Sequence, residues 1–560
     1  MKDNFEQLYN MRELMELYAP DFPVEKWDEE ERFLLEPFFT NLEGRVTVMR
    51  NLPAELVGAL CSKASRAPGS LMRVFLNEYI NPILKGEDKK LADELMTFVK
   101  IMGQYRGGSV LNNQLARKFY VRWLAEFGDD SIAQMTGTHV NFLYVSQVAM
   151  KFMEDQRIGL EPIEKSTRYV NYGHKINGRY LYYIPVPDLD SVDGFYREYT
   201  KILDNLFVVY NSLVPRLIEW LKKHYDEKSS VLEKKAFDTL RGLLPMATVS
   251  QVAFRGNAQA WDYLISRTAA HKLGEIRWIS KTLQAELDKE IPSLMLRLKE
   301  PKSLAYQAYL AKRREKAREM SKLVEGNSFV YTPTVSLVEY DSDAEDKILA
   351  GIIFPHTNES WDNVISRVKS LSYGEKEKMF EEYFAGRTER WHKVPRAFEN
   401  SYLRFEIIVN IGAYRDLHRH RMHTQDRQYF TVFHGYDVPK EIIESGMEFE
   451  FREALESVKG LFYKLNEKFG PELAQYVVPL AYRMRLYQLQ NFRAFFWESE
   501  LRTISQGHPD YRKIEQTKFQ LIKEKFPLLA RFMKVDMNEY FFARRGVEEK
   551  IKAKEDKLLK

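Results

Sequence analysis

The sequence predicts an α+β protein made of two tandem copies of one helix-rich domain, each with a small mixed or antiparallel sheet. Three observations carry this. Strand-like alternation followed by helical spacing runs through "RVTVMRNLP" and "PAELVGALCSKASR". The same plan of strand, turn and helix returns in "VSLVEYDSDAEDKILAGIIF". Further segments recur in the same order, implying an internal duplication of roughly 250 residues, and helical patterns outnumber strands in both halves.

Size and composition agree with a folded multidomain chain. At 560 residues the chain is too long for one ordinary core. Hydrophobic residues make up 44% and charged residues 29%, and the net charge of +4 does not call for nucleic acid or a membrane surface. The single cysteine, Cys61, excludes an internal disulfide framework. In "LVGALCSKAS" it reads as a small buried residue on a helix face rather than a nucleophile. The N-terminus lacks an apolar core of signal-peptide length, and the chain has no long apolar run. A cytoplasmic location is the simplest expectation.

In chain order, residues 1–40 read as an N-terminal extension, a short acidic amphipathic helix followed by "APDFPVEKWDEEERFLLEPFF". The first domain is expected over 41–298. Residues 299–330 hold "LAYQAYLAKRREKAREMSKLVEG", a basic linker helix ending at Gly326, whose charge is that of a solvated face. The second domain follows over 331–546, and 547–560 form a charged tail. Within each half a helix-rich segment ("LAEFGDD", "FEEYFAGRT") precedes an apolar strand ("HVNFLYV", "LRFEIIV"). An arginine-containing segment, an "LP" or "VPLA" helix, and the helices "NAQAWDYLISR" and "NFRAFFWESELR" come next.

The chemistry concentrates in two places. "LHRHRMHTQDRQYF" (417–430) places Arg419, His420 and Arg421 ahead of Thr424 and Gln425. Guanidiniums there can fork onto phosphate oxygens while the imidazole adds a hydrogen bond; a basic surface patch is the plainer alternative. A metal site from His418, His420 and His423 is disfavoured, because Arg415, Arg419, Arg421 and Arg427 crowd the same neighbourhood. The matching part of the first half keeps only Arg157, followed by Glu164, Ser166 and Arg168 in "EKSTRY". A hydroxyl and a guanidinium two residues apart can face one phosphate or one uracil-like ring, and a capping or turn role for Ser166 is the alternative.

These segments resemble the flavin-dependent thymidylate synthases, whose signature joins R-H-R to a later S-x-R. The second half supplies the front, "RHRMHT", with Thr424 in place of a serine, and the first half the back, "EKSTRY". "RAFEN" (396–400) is similar to the family's P-F-E-H, and "GPELAQYVVPLAY" with "NFRAFFWESELR" to its helix pair ending N-x-R…L-R. The matches span most of both halves and leave the extension and linker uncovered.

The resemblance implies a division of labour. Substrate contacts to dUMP fall on Glu164, Ser166, Arg168, Arg241 and Arg267 in the first half. Flavin contacts fall on Glu399, Arg419, His420, Arg421, Asn491 and Arg493 in the second. Conversely, Gln134 and Met135 replace the Glu-His pair in the first half, and Gln475 replaces the LP-helix arginine in the second. The implied reaction is reductive methylation of dUMP to dTMP, with FAD as cofactor and methylenetetrahydrofolate and NADPH as co-substrates. Arg267 or Arg502 would stabilise charge developing on the pyrimidine, with Ser166 bonding the nucleotide. Family tetramers imply that a fused pair dimerises into a pseudo-tetramer. The alternatives are a flavoenzyme acting on another pyrimidine nucleotide, and a non-catalytic nucleotide- or RNA-binding protein on a degenerate enzyme fold; of these, nucleic acid is the less expected partner.

Overall fold

The computed structural model describes residues 15–104, 118, 130–324, 334–542, 554 and 557. The "LAEFGDD" segment before Asp130, the start of the extension and most of the C-terminal tail lie outside the described residues. In the first half the elements used below are β1 (Val46–Met49), α1 (Ala54–Ala64), β2 (Gly137–Ser146), α2 (Gln147–Glu154) and β3 (Leu160–Glu164). They are followed by α3 (Phe195–His224), α4 (Ser229–Leu240), β4 (Val249–Asn257), α5 (Ala258–Ala269), α6 (Gly274–Glu290) and α7 (Pro301–Ser321). The second half has β5 (Val335–Tyr340), α8 (Ala344–Ile353), β6 (Leu403–Asn410), α9 (Ile411–Leu417) and β7 (Thr424–Arg427). It continues with α10 (Glu448–Phe469), β8 (Arg483–Gln490), α11 (Phe492–Arg502) and α12 (Pro509–Lys525).

The duplication is visible in the topology. The sheet orders are β1-β2-β4-β3 and β5-β6-β8-β7, one plan used twice, and every strand pairing in both sheets is antiparallel. The fold is therefore α+β with two tandem helix-rich domains and small antiparallel sheets. The chain packs as two compact units, one holding Met1–Asn327 and Val438–Pro479, the other Ser328–Asp437 and Leu480–Lys560.

In the first unit, the N-terminal segment belongs to a core. Trp27, Leu34, Leu35, Phe38 and Phe39 are buried together with Met49, Leu60, Cys61 and Ala253. That layer explains why β4 is buried from Val249 to Phe254 on both faces, a pattern of continuous burial rather than alternation. Helices α3 and α10 run antiparallel, tied by Arg216–Glu450 at 2.7 Å and Glu198–Lys464 at 2.7 Å. The LP segments of the two repeats also meet here: Ala247 N–H donates to Tyr476 O at 2.7 Å, and Met246 N–H to Val478 O at 2.9 Å. Helix α7, the basic linker helix, buries only Leu310 and is anchored by Arg314 Nη1 donating to Ala270 O at 2.8 Å.

In the second unit, β8 alternates half-buried and buried residues, with Met484, Leu486, Gln488 and Gln490 inward. Period-two alternation is what a sheet with one covered face requires. The inward row ends on two amides, which marks the end of the sheet where polar chemistry gathers.

Candidate functional site

In the second unit, Asn410 closes β6 and caps α9 by accepting from Ala413 N–H at 2.8 Å. Every residue of α9 is buried, Arg415 and Asp416 included. The chain leaves this helix into the Arg419–His420–Arg421 turn, which Gln425 pins by donating from Nε2 to His418 O at 3.0 Å and His420 O at 3.4 Å. The turn sorts its residues: Arg419 is exposed, His420 buried and Arg421 half-buried. Arg419 reaches Asp416 at 3.5 Å. His420 accepts from Arg502 Nε at 2.6 Å through its own Nε2. A guanidinium only donates, so that ring nitrogen carries no proton and the imidazole is neutral. Burial pushes His420 down to about 3, reinforced by the Arg502 charge and opposed by Glu498.

At the other end of α11 from Arg502, Arg493 Nη1 donates to Glu399 at 2.6 Å, with Arg396 at 3.4 Å from the same carboxylate. The Arg493 hydrogen bond holds the Glu399 carboxyl below its ordinary range. Asn491 is used as the cap of α11, accepting from Ala494 N–H at 2.9 Å. Asn257 caps α5 in the same way through Ala260 at 2.8 Å, which puts the two helices in register. In that register Gln259 takes the place of Arg493, and it bonds Gln134 at 2.9 Å, so a neutral amide pair replaces the Glu399–Arg493 ion pair. Ser146 caps α2 as Asn410 caps α9, and Gln156 then takes the place of His420, donating to Ala260 O at 2.7 Å.

The first unit builds a different cluster. Arg168 forks onto Asp238, Nε to Oδ1 at 3.0 Å and Nη2 to Oδ2 at 2.9 Å. Arg241, one helical turn beyond Asp238, reaches the same carboxylate at 3.4 Å. All three side chains are nearly buried, so two guanidiniums gather on one carboxylate. Ser166 Oγ accepts from Arg168 N–H at 3.2 Å, which shapes the turn. Glu164 is buried against Lys151 Nζ at 3.1 Å, a lysine with no exposed side-chain surface. Lys165 Nζ pins the loop to Pro68 O at 3.1 Å and Gly69 O at 2.7 Å, and burial lowers it to about 8.

Arg267, on α5 of the first unit, lies over the rings of Phe152 at 4.8 Å and Tyr263 at 5.6 Å. It stands ten residues after its helix cap, whereas Arg502 stands eleven after its own. The two arginines are thus one position out of register and leave their helices on different faces. Sequence reasoning missed Asp238, Lys151 and Lys165. Asp238 had a signal, being three residues before Arg241 in "FDTLRGLLP" and so on the same helix face; its pairing with Arg168, 70 residues earlier, is set only by the fold. Among the described residues, no group of three or more His, Cys, Asp or Glu could hold a metal ion, and no helix is long and apolar enough to cross a membrane.

Comparison with known proteins gives a consistent result. The family model described as thymidylate synthase complementing protein matches twice, at residues 92–293 and 336–528. A UPF0159 protein of Chlamydia pneumoniae is 36% identical over 521 residues, covering 90% of this chain and 95% of that protein. A UPF0159 protein of Chlamydia muridarum is 34% identical over 540 residues, covering 94% and 99%. A flavin-dependent thymidylate synthase of Corynebacterium efficiens is 25% identical over 178 residues, covering 31% of this chain and 67% of its own length. The chain belongs to the thymidylate synthase complementing protein family, as a divergent member that carries the domain twice.

Proposed function

We propose that the chain is a flavin-dependent thymidylate-synthase-type enzyme that methylates dUMP to dTMP. The observation that carries the reading is the Arg168–Asp238–Arg241 cluster: two nearly buried guanidiniums gathered on one carboxylate, donors whose fork geometry suits a phosphate monoester. Glu164 and Ser166 hold the loop bearing Arg168, and Ser166 keeps its hydroxyl proton available for the nucleotide. The second half suits FAD by its donor chemistry. Arg419 and Arg493 keep solvent-facing guanidiniums, at 45% and 41% side-chain exposure, which match a pyrophosphate. Arg421, Glu399 and Asn491 would complete that site, with His420 behind it.

Bound FAD would pass reducing equivalents from NADPH, while methylenetetrahydrofolate supplies the carbon. The chain's own task is to bind, orient and polarise: Arg502 or Arg267 would meet negative charge on the pyrimidine carbonyls. The direct test is to measure bound FAD in the purified protein and the dUMP-dependent oxidation of its reduced flavin. Arg168→Ala should abolish dUMP binding and leave FAD bound; equal loss of both overturns the division of labour. A second reading, a nucleic-acid-binding protein, draws on α7, where exposed Tyr306 and Tyr309 stack at 6.4 Å beside Arg313. A colourless protein that takes up no FAD would favour it.

A further inference from the structure

Behind His420 the second unit buries a charged network that the reading above does not use. Lys518 Nζ donates to Glu498 at 3.1 Å, to Glu515 at 2.9 Å and to Gln488 at 2.9 Å. Gln488 Nε2 in turn donates to Glu498 at 3.2 Å, and Ser499 Oγ to Glu515 at 2.8 Å. Gln490, with its amide turned to suit its neighbours, donates to Glu498 at 3.0 Å and places its oxygen 3.0 Å from Lys518 Nζ, sharing that ammonium's three protons with the other acceptors. Lys518, Glu498, Glu515 and Gln488 have no exposed surface.

The sister half shows that the fold does not need these charges. Asn257 and Asn491 register β4 with β8 and α5 with α11. Helices α6 and α12 both have 17 residues and are followed, after one residue, by Pro292 and Pro527. In this register Gln488, Gln490, Glu498, Glu515 and Lys518 correspond to Phe254, Gly256, Leu264, Ser280 and Leu283. Phe254, Leu264 and Leu283 fill that space with Gly256 and Ser280, whose hydroxyl donates to Ile265 O at 2.8 Å, and none of the five carries a charge. Buried ion clusters are commonly no more stabilising than apolar residues of similar volume, so the second half keeps its network for something other than holding the layers together.

What the network adjoins is the Arg502–His420 pair. Glu498 and Arg502 are four residues apart on α11 and share a helix face. We propose that the Lys518 network is a positioning device for that pair: Lys518 clamps the Glu498 carboxylate, and Glu498, one turn before Arg502, supplies the counter-charge that holds the guanidinium against an uncharged imidazole. Glu515 occupies the other side of Lys518 and shares its charge without facing the pair. His420 is thereby fixed in one tautomer, with its proton on Nδ1, and Arg502 is fixed in direction. The inference rests on the proposed flavin reading only for what the pair serves; its test uses the chain without any ligand.

The test compares two isosteric variants of the full-length protein, Glu498→Gln and Glu515→Gln. At about pH 8, above the value near 7 to which burial raises Glu515, each removes one carboxylate from the same lysine. With histidine side chains labelled with nitrogen-15, His420 is assigned by its loss in His420→Gln. Wild type and Glu515→Gln should show His420 as a single Nδ1–H tautomer, and Glu498→Gln a mixture of both tautomers. Lys518→Met should behave as Glu498→Gln does, giving a second route if that variant folds poorly. A His420 signal unchanged in Glu498→Gln, or changed equally by both carboxylate variants, overturns the proposal. Loss of FAD binding in wild type would overturn the flavin reading and leave the tautomer result standing.

Discussion

The Nε–H of Arg502 donates to Nε2 of His420 at 2.6 Å, and the imidazole that receives it is buried. The central histidine of the Arg419–His420–Arg421 turn is thus spoken for by the protein, while Arg419 faces solvent. Arg502→Ala would leave a buried ring nitrogen unsatisfied, at a cost of about 1–3 kcal/mol. The measurement is the denaturant midpoint against wild type, with the slope unchanged. A variant as stable as wild type would show that the contact has no energetic weight.

His420→Gln should be milder. The first half already places Gln156 at the corresponding position, bonded to Ala260 O at 2.7 Å, so this geometry accommodates an amide. We expect a loss of about 1–2 kcal/mol and a cooperative thermal transition, together with reduced FAD retention. His420→Ala, which leaves both Arg502 and a cavity uncompensated, should cost more. If Gln and Ala are equally damaging, the correspondence between Gln156 and His420 is incorrect.

Asp238→Asn removes the carboxylate that holds Arg168 and Arg241 together. Breaking a nearly buried ion cluster from one side costs about 3 kcal/mol. An anion that takes the place of the carboxylate should restore part of this. Inorganic phosphate or dUMP should therefore raise Tm more in Asp238→Asn than in wild type. Equal shifts in the two proteins would mean that neither ligand sits on these arginines.

Cys61 should be chemically silent. It is buried on α1 among Leu60, Val57 and Ala64, and burial pushes its thiol up to about 11. Thiolate is scarce at neutral pH and the sulfur is covered. Native protein should resist alkylation at pH 7.5, and denatured protein should take up one equivalent of reagent.

How far the sequence could be read depends on how local each determinant is. The repeat was legible because strand alternation and helical spacing are properties of a few adjacent residues. So were the Arg419–His420–Arg421 turn and the Glu164–Ser166–Arg168 loop, which are contiguous motifs. The Lys518 network was not, because it joins β8, α11 and α12, and "KIEQTKF" alone looks like an ordinary charged helix. Likewise the N-terminal segment carrying Trp27 and Phe38 looked like an appendage, since its acidic run hides an apolar stripe. Only the layer over β1 and β4 shows why those rings are buried. The register of Arg267 against Arg502 was also out of reach, because one residue of offset is invisible until both helix caps are located.

The buried carboxylates make stability depend on pH in a way that can be separated by substitution. Burial, aided by the Glu498 charge, raises Glu515 from its ordinary value near 4.5 to about 7. Burial would raise Glu498 too, but Lys518 outweighs it and holds Glu498 down to about 2. Between about pH 4.5 and 7 the folded chain keeps a proton on Glu515 that the unfolded chain has released. Stability from this group is therefore present below about pH 4.5 and lost as the pH rises towards 7, with a slope of up to about 1.4 kcal/mol per unit. Glu498 works in the opposite direction: its contribution is present above about pH 4.5 and lost as the pH falls towards 2. Glu515→Gln keeps a neutral side chain there at every pH, so the difference in unfolding free energy between variant and wild type should shift in the variant's favour from pH 5 to pH 7. Urea titrations at half-unit steps would measure it. A difference that stays flat across that range would mean that Glu515 is already ionised in the folded chain at pH 5.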